Sequence, residues 1–107
     1  MRASVIVPVW NGASVVGACL DAVYARSGPR LAEVVCVDNA SDDESAAIVT
    51  ARHPAARLLA QARNLGFAGG VNVGADAARG DVLVLLNLDT LVEAGWLDAL
   101  LDAVRDD

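Results

Sequence analysis

Four continuous apolar runs alternate along the chain with segments in which apolar residues recur every three or four positions. The runs are short, contain many β-branched residues and end in polar residues or glycine, which is typical of strands buried on both faces. The intervening segments have the spacing of one apolar helix face. The predicted strands are 4–9, 33–38, 57–61 and 81–87. The first two predicted helices are 13–26 and 42–52. A third helix follows the glycine-rich stretch 66–70 and ends near 79–80, and a fourth begins near 93–96.

Strands that alternate with helices of this length predict a parallel sheet built from right-handed crossovers. A chain of 107 residues can bury one hydrophobic core and is too short for two. We therefore expect an α/β protein with an open, mainly parallel, Rossmann-like sheet and helices on both faces. Residues 1–107 should form one domain without an internal boundary.

Several local signals concern the connections. Ser41 and Glu44 have the spacing of a capping box, which predicts a helix that begins at about Asp42. Two interpretations of the stretch 66–70 stay open, close packing of a helix on the sheet or shaping of a ligand pocket. His53, which precedes a proline, is expected to be solvated.

Composition excludes some classes of function. The chain carries 14 acidic residues against 8 arginines, has no lysine and has a net charge of −6, so an extended basic surface for nucleic acid is not expected. No apolar run approaches the length of a membrane span, and the run 5–9 is too short for a secretion signal, which predicts a cytoplasmic protein. Cys19 and Cys36 lie in apolar segments and are expected to be reduced core thiols.

Polar residues follow three of the predicted strands. Trp10 follows the first strand, Asp38 ends the second, and Asp89 closely follows the fourth. In an open parallel sheet, ligands bind beyond the carboxyl ends of the strands, so these three side chains are expected to face one hollow. Each acidic residue could instead serve an ordinary turn or cap. The glycines fit neither a dinucleotide fingerprint nor a phosphate-binding loop with its lysine.

Four segments together resemble the N-terminal half of the family 2 glycosyltransferases, which have the GT-A fold. The asparagine-glycine-phenylalanine stretch and the Asn-x-Asp ending are most similar to the rhamnosyltransferase-like branch. The four segments are 4–11 (SVIVPVWN), 33–41 (EVVCVDNAS), 64–74 (NLGFAGGVNVG) and 86–90 (LNLDT).

The resemblance implies the strand order 3-2-1-4 and a set of residues that bind a nucleotide diphosphate-sugar. In this interpretation Trp10 stacks on a pyrimidine, Asp38 accepts a hydrogen bond from the base, and Asp89 ligates Mg²⁺ or Mn²⁺ at the diphosphate. Asn87 stands where the family's D-x-D motif usually has its first aspartate. The implied substrate-binding residues are Pro8, Trp10, Asn11, Asp38, Asn39, Asn64, Asn87 and Asp89.

The resemblance also implies the reaction, an inverting sugar transfer from a UDP- or dTDP-linked donor to a saccharide or lipid-linked hydroxyl acceptor, in cell-wall polysaccharide biosynthesis. The family's general base lies in its later half, so residues 1–107 are expected to bind donor without completing catalysis. The alternative is a non-catalytic α/β interaction module. In the implied strand order the fourth strand has an unpaired edge, through which such a module, or a donor-binding chain, would form a homodimer.

Overall fold

The computed structural model describes the backbone of residues 1–106 and the side chains of residues 1–104. It contains one parallel sheet of four strands in the order β3-β2-β1-β4, which confirms the predicted α/β class and strand order. The strands are β1 (Ala3–Val9), β2 (Leu31–Asp38), β3 (Arg57–Ala60) and β4 (Val82–Leu85). The helices are α1 (Val16–Arg26), α2 (Ser45–Arg52), α3 (Gly66–Ala77) and α4 (Trp96–Asp106).

Alternate residues of the central strands contribute to two separate cores, one on each face of the sheet. Val5, Val7 and Val9 of β1 pack with buried residues of α1, α2 and α4, which form the larger core. Ile6 points to the other face, where it packs with buried residues of β2 and with α3. Because both faces of β1 are covered, it forms a nearly continuous apolar run, as parallel strands do.

Strand β4 lies at one edge of the sheet. It pairs with β1 on one side, and no other strand among the described residues pairs with it. Val84 belongs to the larger core, whereas its neighbours Leu83 and Leu85, which point to the opposite face, are 45% and 49% exposed. The predicted unpaired edge is therefore present, and it carries apolar side chains.

The capping-box prediction is wrong. Helix α2 begins at Ser45, and its N-terminus has no side-chain cap. The Ser41 hydroxyl instead donates to Asp38 Oδ1 at 2.6 Å. The side chain that was predicted to cap α2 therefore bonds to the last residue of β2. The residues between Asp38 and α2 form a loop that lies beside the connection from β1 to α1.

The glycine-rich stretch is inside α3 and does not merely precede it. The helix begins at Gly66, whose φ of 76° is readily adopted only by glycine, and Gly70 and Gly74 are buried within the helix. A Cβ at Gly74 would be 2.5 Å from Ile6 Cγ2, so the absence of a side chain lets α3 approach β1. Gly74 thus packs closely on the sheet, whereas Gly66 and Phe67 of the stretch 66–70 line a cavity.

The solvated environment predicted for His53 is also wrong. Its side chain is 17% exposed, and its ring stacks on Tyr24 with the centroids 5.0 Å apart. Its Nε2 atom is 2.6 Å from Asp21 Oδ1. The hydrogen bond with His53 is the largest of several contacts that lower the pKa of Asp21 below its ordinary value.

The two cysteines are free and buried, which confirms the prediction of reduced core thiols. Burial raises the pKa of Cys19 to about 11 and that of Cys36 to about 12, so both thiols stay protonated and unreactive at neutral pH. Within residues 1–106, no helix combines the length and the apolar character needed to cross a membrane.

Candidate functional site

A cavity of about 560 Å³ opens at the carboxyl ends of the strands, where polar residues were predicted to converge. The connection after β1, the first residue after β2, the start of α3 and the segment after β4 form its walls. Its volume is in the range of small-molecule sites. The lining residues are Pro8, Val9, Trp10, Asn11, Gly12, Val15, Asn39, Asn64, Gly66, Phe67, Asn87, Leu88 and Asp89.

Seven of the eight predicted substrate-binding residues line this cavity. Asp38 is the exception. It is the last residue of β2 and lies at the same end of the sheet, but only 5% of its surface is exposed. Its Oδ1 atom accepts the Ser41 hydroxyl at 2.6 Å, and its Oδ2 atom accepts the Ser41 amide at 3.4 Å. The role of Asp38 at a base stays a prediction, and a ligand must displace or share the Ser41 hydroxyl to reach this carboxylate.

Hydrogen bonds join the loop after β1 to the loop after β2 and so fix one wall of the cavity. Asn11 is central to this connection, because its amide donates to Ser41 Oγ and its Oδ1 accepts from the Asp42 amide. Its φ of 46° is in the left-handed region, which asparagine tolerates better than most residues. The four connecting bonds are Asn11 N to Ser41 Oγ (2.9 Å), Asp42 N to Asn11 Oδ1 (2.7 Å), Gly12 N to Ser45 Oγ (2.8 Å) and Ala13 N to Asp43 Oδ2 (3.0 Å).

Two asparagines hold the start of α3 against the cavity. Asn39 is only 3% exposed, and its Nδ2 donates to the Gly66 carbonyl at 3.1 Å. Asn64 lies on the rim, and its Oδ1 accepts the Gly66 amide at 2.8 Å. Asn39 therefore acts on the shape of the site through the position of the helix, whereas Asn64 keeps exposed surface for a ligand.

Two aromatic side chains stand exposed in the cavity, Trp10 at 54% and Phe67 at 58%. Large aromatic surfaces are normally buried, so two of them in one concave site indicate a ligand with a flat, apolar part. Phe67 was not among the predicted site residues. The sequence feature that could have identified it is an aromatic residue beside glycines in the stretch 66–70, for which a role in a ligand pocket was one of the two interpretations.

Asn87 and Asp89 follow β4, are exposed and line the same cavity. Among the described residues, no group of three or more histidine, cysteine, aspartate or glutamate side chains could enclose a metal ion. One carboxylate with a nearby amide suits Mg²⁺ or Mn²⁺ of the kind that is held largely by a ligand's phosphates and by water. The donor set therefore fits a metal ion that arrives together with a diphosphate.

Residues 4–107 match the profile of Glycosyl transferase family 2. The chain is 34% identical over 98 residues to the succinoglycan biosynthesis protein ExoO of Rhizobium meliloti (strain 1021), an alignment that covers 91% of this chain and 28% of that protein.

Solved structures with the same fold include a mannosyltransferase and TarS. The mannosyltransferase PcManGT of Pyrobaculum calidifontis, in complex with GDP-Man and Mn²⁺, is 34% identical with a TM-score of 0.83, over 97% of this chain and 31% of that one. S. aureus TarS (residues 1–349), in complex with UDP, is 26% identical with a TM-score of 0.81, over 98% of this chain and 31% of that one. The chain thus spans about a third or less of the length of each of these proteins.

Proposed function

Because residues 4–107 match its profile, the chain belongs to glycosyl transferase family 2, and we propose that its cavity binds the nucleotide diphosphate of a sugar donor. The observation that carries the proposal is the convergence of Trp10, Phe67, Asn87 and Asp89 on one cavity of about 560 Å³. These residues come from three different connections of the sheet. Core packing does not require exposed aromatic rings and a carboxylate at the same place.

The base and the diphosphate of the donor each have matching groups in the chain. Trp10 and Phe67 offer rings for the base, and Asp38 is proposed to accept a hydrogen bond from it once the Ser41 hydroxyl turns away. Asp89, with Asn87 beside it, would hold Mg²⁺ or Mn²⁺. When bound, that ion would supply positive charge to the diphosphate leaving group. Pro8, Asn11, Asn39 and Asn64 would fix the walls around the ligand.

The proposed reaction of the whole protein is transfer of the sugar to a hydroxyl acceptor with inversion. The acceptor oxygen forms a bond to the anomeric carbon while the bond to the diphosphate oxygen breaks, and a general base takes the acceptor proton. Residues 1–107 are proposed to be the donor-binding subdomain, with the base outside them. A saccharide or lipid-linked acceptor, a rhamnosyltransferase-like branch, a role in cell-wall polysaccharide synthesis and a cytoplasmic location all stay predictions.

The nucleotide is proposed to be UDP or dTDP, since Asp38 suits the N3–H donor of a pyrimidine. Structures of similar proteins contain UDP and GDP-Man, so guanine nucleotides belong in the same assay. Titration calorimetry of the 107-residue chain with UDP, dTDP and GDP, each with Mn²⁺, tests the proposal. We expect binding of one nucleotide that falls at least about tenfold in Asp89→Ala, as the loss of a charge-assisted contact predicts.

Asp38→Ala should weaken the pyrimidine nucleotides while leaving Mn²⁺-dependent pyrophosphate binding unchanged. Asp76→Ala is the matched control, because Asp76 is an exposed carboxylate on α3 outside the cavity. Equal affinities of the parent chain and Asp89→Ala, or no heat with any of the three nucleotides, would contradict the proposal.

Self-association through β4 is a second, separate proposal. The exposed side chains of Leu83 and Leu85 beside an unpaired strand edge favour it. Membership of an enzyme family does not favour a purely non-catalytic module, but a donor-binding chain can also dimerise. Light scattering should give a concentration-dependent dimer that Leu85→Lys disrupts, and a parent chain that stays monomeric at high concentration would refute it.

A further inference from the structure

A second cavity, of about 700 Å³, lies at the opposite end of the sheet from the donor cavity. Its walls come from the beginnings of strands: Arg2 directly precedes β1, Leu31 is the first residue of β2, and Arg57 is the first residue of β3. Arg79, in the connection to β4, completes a set of three lining arginines. Three of the 8 arginines in a chain of net charge −6 thus meet at one concave site.

The described lining contains one acidic residue, Glu33, and its carboxylate is already engaged. Oε1 accepts from Arg57 Nη1 at 2.8 Å, and Oε2 accepts from the Ser4 hydroxyl at 2.7 Å and from the Arg79 amide at 2.5 Å. Burial by itself would raise the pKa of Glu33, but these hydrogen bonds, led by that from Arg57, outweigh it and hold the pKa below its ordinary value. Glu33 therefore stays ionised and neutralises one of the three guanidinium groups.

The other two guanidinium groups keep their charge available. Among side chains of residues 1–104, neither Arg2 nor Arg79 forms an ion pair. Arg2 is anchored by a neutral acceptor, since its Nη2 donates to the Leu31 carbonyl at 3.1 Å. Arg57 is fixed in the same way, through a bond of 2.7 Å from Nη1 to the Ala77 carbonyl. The cavity thus carries an excess of positive charge, and hydrogen bonds to backbone carbonyls hold the Arg2 and Arg57 guanidinium groups in place.

We infer that this cavity binds a small anion with two or more phosphate groups, independently of the donor site. Guanidinium groups match phosphate oxygens because they offer paired N–H donors in one plane, and their charge shortens and strengthens those bonds. An anionic membrane surface carries the same chemistry in its headgroups. The net charge of −6 opposes approach of the whole chain to such a surface, so the ligand is a free, soluble anion.

The aromatic residues of the chain distinguish the two cavities in solution. Tyr24 is the one tyrosine of the sequence and lines the arginine cavity, whereas Trp10 lines the donor cavity. We propose a titration of the 107-residue chain with inorganic pyrophosphate, followed by NMR at the Tyr24 ring and the Trp10 indole. EDTA is present throughout, so that the metal-dependent donor site cannot contribute.

Saturable shifts at Tyr24 without matching shifts at Trp10 are the expected result, and added salt should weaken the binding. Arg2→Gln and Arg79→Gln should each weaken it about tenfold, because each removes a charge-assisted contact at an exposed position without disturbing the Glu33 to Arg57 pair. Arg26→Gln is the matched control, since Arg26 lies outside both cavities. Unfolding midpoints of all variants would show that the fold is kept.

Three outcomes would overturn the inference. They are shifts confined to Trp10, unchanged affinity in both Arg2→Gln and Arg79→Gln, and an absence of pyrophosphate binding. A separate flotation assay uses phosphatidylcholine vesicles that contain phosphatidic acid, and in the third case it would detect arginine-dependent binding to the vesicles. The last result would assign the cavity to a lipid headgroup instead of a free anion.

Discussion

Gly74 lies where α3 crosses the sheet, and its replacement by alanine tests how closely the helix must approach. The new Cβ would be 2.5 Å from Ile6 Cγ2 and 3.2 Å from Val37 Cγ2. Carbon atoms prefer a separation of about 3.5–4.0 Å, so the contact with Ile6 is too short by about 1 Å. Ile6 and Val37 are fully buried and β-branched, which leaves neither side chain a free rotamer to occupy.

The expected size of the effect follows from two opposing terms. Overpacking of a filled core costs about 1–3 kcal/mol, whereas alanine is favoured over glycine inside a helix by about 1 kcal/mol. A contact too short by about 1 Å belongs in the upper part of the overpacking range, about 2–3 kcal/mol, so we expect the free energy of unfolding to fall by about 1–2 kcal/mol. For a domain of this size, each kcal/mol lowers the unfolding temperature by about 4–8 °C.

Thermal unfolding followed by circular dichroism measures this change, and Asn72→Ala provides the control. Asn72 is exposed on the same helix, so a new alanine there gains helix propensity without a clash and should leave stability unchanged or slightly higher. Ile6→Ala removes the clashing methyl group. The double variant Gly74→Ala with Ile6→Ala should therefore be more stable than the sum of the two single changes predicts, by about 0.5–3 kcal/mol. A Gly74→Ala chain as stable as its parent would refute the packing role.

Three further predictions concern the loops and the charged groups. Ser41→Ala should lower the free energy of unfolding by about 1–3 kcal/mol in urea, because the buried Asp38 carboxylate loses its hydroxyl donor, whereas the exposed Ser14→Ala should change little. Glu33 has a lowered pKa in the folded chain, so its stabilisation is present above its unfolded pKa of about 4.5 and is lost as the pH falls through the folded value. Glu33→Gln should thus be less stable than the parent at pH 7 but lose less stability on acidification to about pH 3. An equal loss of stability in the two chains between these pH values would contradict this. Ala40 has a φ of 60°, so Ala40→Gly should be neutral or up to about 1 kcal/mol more stable in thermal unfolding, and a clear loss would argue against strain there.

The sheet and the position of the cavity could be predicted because both follow from the order of apolar and polar residues in the sequence. Apolar runs with polar endings identify parallel strands and the end at which their connections meet. This logic correctly predicted that Trp10 and Asp89 meet at one cavity, without any distance information. It does not reveal how each side chain is oriented, which is why the burial of Asp38 beneath Ser41 could not be foreseen.

The errors arose where long-range partners compete with local ones. The serine of a capping-box pattern serves either its own helix or a distant group, and Ser41 contacts Asn11, which is 30 positions away in sequence. The arginine cavity is hidden for the same reason. The three arginines, Arg2, Arg57 and Arg79, meet only because the strands begin in register at one end of the sheet. Their spacing in the sequence does not predict this contact.

The hydrogen bonds between the loops after β1 and β2 have a kinetic consequence. These loops are already ordered by hydrogen bonds within the chain. Binding of a ligand therefore costs little entropy for ordering the loops that form the wall. Substitutions that loosen the wall, such as Asn11→Ala, should then slow productive association, because only part of the population would be competent to bind. Preorganisation of this kind keeps association with a ligand fast, because no loop has to be ordered first.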